Sequence, residues 1–127
     1  MRKIVFILII IAIVILSAVF LGSRASQDMI LSKEIHSMLE QGIKQIDLTT
    51  MTDFEWDAVE AFGPYTTNEI IEESMNIRFK GDTGGIEVIE NRFLLVFADE
   101  KNAVRTVVLS REYGDFTIKN KRLLIVK

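Results

Sequence analysis

From Ile4 to Leu21 every position is apolar except Ser17. A helix over that run, at about 1.5 Å per residue, measures roughly 27 Å, close to the ~30 Å hydrocarbon core of a bilayer. The run therefore divides the chain into a membrane segment, residues 1–25, and a domain, residues 26–127. Arg2 and Lys3 precede the apolar run and only Arg24 follows it closely. That bias favours a cytoplasmic N-terminus, so the expectation is a single-pass cell-membrane protein whose C-terminal domain lies outside the cytoplasm. Ser23-Arg24-Ala25 offers a small-x-small site that a signal peptidase can read, but secretory apolar regions usually run about 7–15 residues. A retained anchor is favoured over a cleaved signal peptide on that ground.

The 102 residues from Ser26 onward suffice for one ordinary domain. They contain no cysteine, which removes disulfides, a thiolate nucleophile, cysteine-based zinc sites and a lipid-bearing cysteine. With 12 basic and 18 acidic residues the domain carries a net charge of −6, so nucleic acid is not an expected partner. The charge is unevenly placed. Asp28 to Glu73 holds 11 acidic and 2 basic residues, whereas Ser74 to Lys127 holds 7 acidic and 10 basic ones, with a basic tract at Lys119-Asn120-Lys121-Arg122. Two solvated faces of opposite sign account for this, and either one is also suited to a charged partner.

Leu31, Ile35, Met38, Leu39, Ile43 and Ile46 recur at steps of three and four, the stripe of an amphipathic helix, with Ser26 or Asp28 as cap and Gly42 near its end. Met29, Ile30 and Leu31 at its start lie close enough to the membrane segment to touch the lipid surface. Ile46 and Leu48 then begin a short strand. Farther on, Phe54, Trp56, Ala58 and Phe62 alternate with Glu55, Asp57, Val59 and Ala61, which predicts a half-buried strand with its aromatic side inward. Gly63-Pro64 ends that strand, and Thr66 with Glu69 reads as a capping box, stapled by Tyr65 on Ile70, that opens a second short helix. Ile77 and Phe79, the turn Gly81–Gly85, and Ile86 to Glu90 read as a hairpin. Phe93 to Ala98 is a continuous apolar run, expected as a central strand covered on both faces, and it returns through Ala103 to Ser110 after a turn at Asp99–Asn102. Phe116 and Ile118, then Leu123 to Val126, supply further strands. The expected fold is α+β: an N-terminal transmembrane helix and a two-layer domain of two helices on a mainly antiparallel sheet of about four to six strands.

The pattern Phe54-x-Trp56-Asp57-x-Val59-x-x-Phe62-Gly63-Pro64-Tyr65-Thr66, with Leu94-Leu95-Val96-Phe97 downstream, resembles a group of small Firmicute envelope proteins that carry an N-terminal anchor or a lipoprotein signal. The likeness spans Phe54 to Phe116. It implies an envelope location and these domain boundaries, and no particular activity. Members that are lipoproteins carry a cysteine after the apolar segment; here Gly22 is followed by Ser23.

No residue pattern points to a cofactor, a metal site or a catalytic set. Asp53, Glu55 and Asp57 would share one strand face about 7 Å apart, too wide for one small ion and more simply a solvated face. The single histidine, His36, lies off the apolar stripe and is expected to be exposed, with no G-x-S-x-G elbow to supply a serine. Gly81–Gly85 lacks the Lys-Ser or Lys-Thr of a phosphate loop. The candidate binding residues are Trp56 and Tyr65, aromatics suited to a recognition groove, and Asp57 beside Trp56. The resulting expectation is a membrane-tethered interaction or ligand-binding module of the envelope with an envelope-protein partner. The alternatives are a small cell-wall hydrolase working through Asp53, Glu55 and Asp57, or a structural subunit of a membrane complex.

Overall fold

In strand β4 (Arg92–Asp99) every residue from Phe93 to Ala98 is buried, as the unbroken apolar run requires of a strand with no solvent face. The computed structural model describes residues 3–11 and 24–126. β4 pairs antiparallel with β3 (Ala58–Phe62) and with β5 (Asn102–Ser110), and β1 (Ser26–Gln27) lies parallel to β5 at the far edge. This four-stranded sheet, in the order β1-β5-β4-β3, is accompanied by a three-stranded antiparallel sheet in which β7 (Arg122–Val126) lies between β2 (Gln45–Asp47) and β6 (Asp115–Lys119).

Side chains alternate across β4, so its two faces feed two separate cores. Phe93, Leu95 and Phe97 join Val107 and Leu109 of β5 under helix α1 (Met29–Glu40), whose Leu31, Ile35 and Leu39 form the predicted stripe. Ile46, Leu48, Phe116 and Leu123 close that core from the second sheet. On the opposite face, Leu94, Val96 and Ala103 are covered by Ile71 of helix α2 (Asn68–Met75), by Phe79 and Ile86, and by Ala25. The class is α+β, but the helices lie on opposite faces and the main sheet is the middle of three layers. A two-layer arrangement would leave one face of the fully apolar β4 in water, which is why the single-face expectation fails.

Local signals explain most boundaries. Asp28 caps α1, its carboxylate accepting from the Leu31 N–H at 2.9 Å, and the helix stops before Gly42, whose φ is +85°. The cap of α2 is Thr67, which accepts from the Ile70 N–H; Thr66 instead donates to the Gly63 carbonyl and forms no capping box. The turn at Tyr65 displaces the helix start by one residue, and Tyr65 and Ile70 are both exposed.

Two stretches depart from the period-two reading. Residues 53–57 are irregular, and β3 begins only at Ala58. Residues 79–91 form no hairpin. Arg78 makes one parallel bridge to Asn102, and the chain then folds as a turn-rich cover whose Phe79 and Ile86 are buried anchors. Alternation there reflects single contacts onto the sheet and not strand geometry.

Of the predicted membrane segment, residues 4–11 are helical and their large apolar side chains are exposed, while residues 12–21 lie outside the described residues. Among the described residues no helix is long and apolar enough to cross a membrane.

Candidate functional site

The segment between the second sheet and β3 is held as a brace. Asp47 caps a 3-10 turn at Leu48–Thr50 by accepting from both the N–H and the hydroxyl of Thr49, at 3.0 and 2.6 Å. These bonds, the hydroxyl one foremost, hold the Asp47 carboxyl below its ordinary range. Thr52 donates to the Leu48 carbonyl and accepts from the Trp56 indole N–H at 2.8 Å. Trp56 is therefore half-buried and fixed at its polar end.

Trp56 and Phe54 both meet Phe97 edge-on, with ring centroids 5.1 and 5.3 Å away. A cation covers each: Lys121 Nζ lies 5.1 Å from the Trp56 centroid, and the Arg105 guanidinium carbon 4.9 Å from that of Phe54. Trp56 thus packs on the same core as Val59 and not with Phe62, which enters the core on the opposite face. The predicted sidedness is reversed because the chain is not a strand before Ala58.

Around these aromatics is an open cleft of about 420 Å³ lined by Thr49, Thr52, Phe54, Glu55, Trp56, Asp99 and Lys121. One hairpin tip borders it through Lys121, and Asp99 at the end of β4 leads to a second tip, whose Glu100 and Lys101 line a separate cleft with Asn76, Ile77 and Arg78. Asp57 Oδ2 accepts from the Glu100 N–H at 3.2 Å, tying the brace to the β4–β5 tip, while Lys121 belongs to the β6–β7 tip. The central residues of both tips are left-handed and none is glycine: Glu100 and Lys101 at φ 48° and 68°, Asn120 and Lys121 at φ 51° and 61°. Two-residue hairpins with this geometry normally take Asn-Gly or Asp-Gly, because a side chain other than Asn or Asp costs about 1–2 kcal/mol per residue there; Asn120 fits that preference, whereas Glu100, Lys101 and Lys121 do not.

The three candidate binding residues do not converge. Trp56 lines the cleft and Asp57 braces its edge, but Tyr65 lies beyond the other end of β3, where its backbone N–H donates to the Ile86 carbonyl. The Tyr65 phenol is hydrogen-bonded to Glu90, which raises its pKa. Asp53, Glu55 and Asp57 are all exposed and serve different places: Asp53 lines a separate cleft with Asp28 and Glu34, Glu55 the Trp56 cleft, and Asp57 the hairpin tip. Among the described residues no group of three or more carboxylates or histidines is arranged to hold a metal ion.

His36 is half-buried, not exposed. Its Nε2 accepts from the Ser110 N–H at 2.9 Å, which places the ring proton of the neutral side chain on Nδ1, and its ring stacks on Tyr113. The serines beside it are engaged, Ser32 donating to the Val108 carbonyl and Ser110 accepting from the Glu112 N–H. The arrangement fastens α1 to the end of β5 and contains no hydroxyl–imidazole pair.

Sequence reasoning missed Asp99 and Lys121, read as turn and basic tract. Their proximity to Trp56 follows from the pairing of β3 with β4 and from the docking of the second sheet, neither of which has a local signal. Family models, curated proteins and solved structures yield no match to this chain.

Proposed function

We propose that this protein is a membrane-tethered module of the bacterial envelope that works by contact through the Trp56 cleft, its domain facing away from the cytoplasm. The observation that carries the contact reading is one half-buried tryptophan in an open cleft, capped by Lys121, a non-glycine residue held left-handed at a hairpin tip. Strain of this kind persists where the surroundings fix it and tends to gather at binding surfaces. Trp56, Phe54 and Lys121 supply the apolar and cationic anchors that interfaces favour, while Glu55 and Asp99 give a charged rim. The tether reading is supported by the apolar run Ile4–Leu21 and by eight consecutive exposed apolar side chains on the helical residues 4–11, a helix apolar all round. The resemblance carried by Trp56-Asp57 and Phe62-Gly63-Pro64-Tyr65 points to the same location.

Fractionation with protease access checks the tether: the protein stays with alkali-washed membranes and its C-terminus is cut from outside. A photo-crosslinker at Glu55 checks the contact surface. Crosslinks from position 55 but not from Glu73 on α2 are the expected outcome, and equal yields at both would overturn the cleft reading.

One observation favours a second reading. Glu55 and Asp99 line the same aromatic cleft, and two carboxylates across such a cleft are the minimum for glycoside hydrolysis. The double substitution Glu55→Gln with Asp99→Asn separates the readings. Loss of cell-wall glycan turnover with folding intact supports hydrolysis, whereas unchanged turnover, with crosslinking from a probe moved to Thr49 of the same cleft altered by the substitutions, supports contact.

A further inference from the structure

The first turn of α1 presents two large apolar side chains to solvent, Met29 at 59% and Ile30 at 73% exposure, while Leu31 beside them is buried. They flank the helix on both sides: Met29 lines the cleft that holds Ser32, His36 and Arg92, and Ile30 the one that holds Met51 and Asp53. We infer that Met29 and Ile30 are a lipid-facing seat that rests the domain on the headgroup–acyl boundary of the bilayer.

The argument is one of reach, and it rests on the proposed tether. Ala25 is already part of the domain: its N–H donates to the Lys80 carbonyl at 2.7 Å, and Ser26 and Gln27 pair with Arg105 and Thr106. Only four Cα steps separate Ala25 from Leu21, the last apolar residue of the run, so the two lie at most about 14 Å apart. That is about twice the depth of the headgroup layer, since a bilayer of ~40–45 Å with a ~30 Å core leaves about 5–8 Å on each side. The end of the domain that carries Ala25 is therefore held within several ångströms of the headgroups; Ser26, Gln27, Met29 and Ile30, all exposed, follow Ala25 in sequence, and Lys80 and Gly81 adjoin it in space. Charge around the seat is mixed, with Arg24, Lys33, Lys80, Arg92 and Arg105 against Asp28, Glu34 and Asp53, the Asp28 carboxylate being engaged as the helix cap. Burial of Met29 and Ile30 is what would hold the seat, with attraction of the cations to anionic lipid adding to it.

The absence of native cysteine allows single labelling. Full-length protein carrying a fluorophore on Ile30→Cys is reconstituted into vesicles of zwitterionic phosphatidylcholine containing brominated chains. Gln41→Cys, exposed at the other end of α1 and about 16 Å along its axis, is the control. The expected result is strong loss of fluorescence at position 30 and none at 41. No loss at 30, or equal loss at both positions, overturns the seat. So does loss that appears only when anionic lipid is added, which moves the contact to Arg24 and Lys33. Shielding of position 30 in native membranes but not in pure lipid assigns the patch to a protein partner and likewise overturns it. Alkaline extraction of the same samples tests the tether separately: a protein that washes off has lost the tether reading, whereas one that stays without quenching has lost only the seat.

Discussion

The two faces of the four-stranded sheet are covered by different kinds of structure. On one, a 12-residue helix and a second sheet bring regular, periodic apolar side chains onto Phe93, Leu95 and Phe97. On the other, an eight-residue helix contributes one fully buried residue, Ile71, and the irregular stretch 77–91 supplies Phe79 and Ile86 to cover Leu94 and Val96. A core closed by repeated elements surrounds its central side chain with packed neighbours from several elements; one closed by single anchors gives each anchor fewer neighbours and holds it through the conformation of the loop. The α1 face should therefore lose most when its centre is removed, and the α2 face should be more sensitive to backbone geometry.

The largest effect is expected at Phe97, fully buried and the ring on which both Phe54 and Trp56 stand. Phe97→Ala should cost about 3–5 kcal/mol in urea unfolding of the domain, with the Trp56 fluorescence of the folded state altered. Ile86→Ala, the equivalent deletion on the other face, should cost about 2–3 kcal/mol. If Ile86→Ala cost more than Phe97→Ala, the loop cover would be the stronger half and the comparison would be reversed.

How much of this was legible follows the same division. The α1 stripe, the double-faced β4 and its return in β5 are written locally, because a 3.6 period or an unbroken apolar run has one simple solution. Ile77 with Phe79, and Ile86 with Val88, alternate as two strands would, yet Val88 is 77% exposed while Phe79 and Ile86 are buried anchors; alternation over so few residues does not separate a strand from a series of turns. The Trp56 brace failed for another reason. Its geometry is set by Thr52, Phe97, Glu100 and Lys121, three of them more than 40 residues away, so Trp56 and Asp57 were found as residues while their neighbours were not. Tyr65 was singled out with them and lies elsewhere, since adjacency in a motif says nothing about which end of a strand each residue occupies.

Trp56 sharpens the comparison from the rim of the α1 face. Because it is half-buried, Trp56→Ala should cost about 2 kcal/mol, less than a fully buried indole would. Thr52→Val, which leaves the indole N–H unpaired, should cost about 1 kcal/mol. Both are read in the same urea unfolding, and a Trp56→Ala loss as large as that of Phe97→Ala would make the brace part of the core proper.

On the α2 face the backbone is the probe. Gly84 has φ +68°, and a Cβ there would stand 2.5 Å from Val108 Cγ2. Gly84→Ala should destabilise by about 1–2 kcal/mol through left-handed strain together with displacement of Val108. Thermal unfolding measures it. A neutral result would mean that the cover shifts freely over Leu94 and Val96, and the claim that this face is geometry-sensitive would fall.

The smallest effects distinguish the faces by their tyrosines. Tyr113 packs at the edge of the α1 core and donates to Glu40 at 3.2 Å; burial first, and then the Glu40 carboxylate, push its phenol up to about 12. Tyr65, beside the loop cover, is raised chiefly by its hydrogen bond to Glu90. Both shifts are upward, so each phenol's contribution to stability is fully present below its unfolded value near 10 and is lost as pH rises through the folded value. For Tyr113 that window runs from about 10 to 12. The causes differ in order, and substitution should expose the difference. Glu90→Gln should return most of the Tyr65 shift, since it removes the leading cause. Glu40→Gln should return only part of the Tyr113 shift, because burial against the core remains. Absorbance titration of phenolate formation in the two variants reads both at once. Full return of Tyr113 on Glu40→Gln would show that the ring is solvated, and the α1 face would then lack the tight edge that sets it apart from the other.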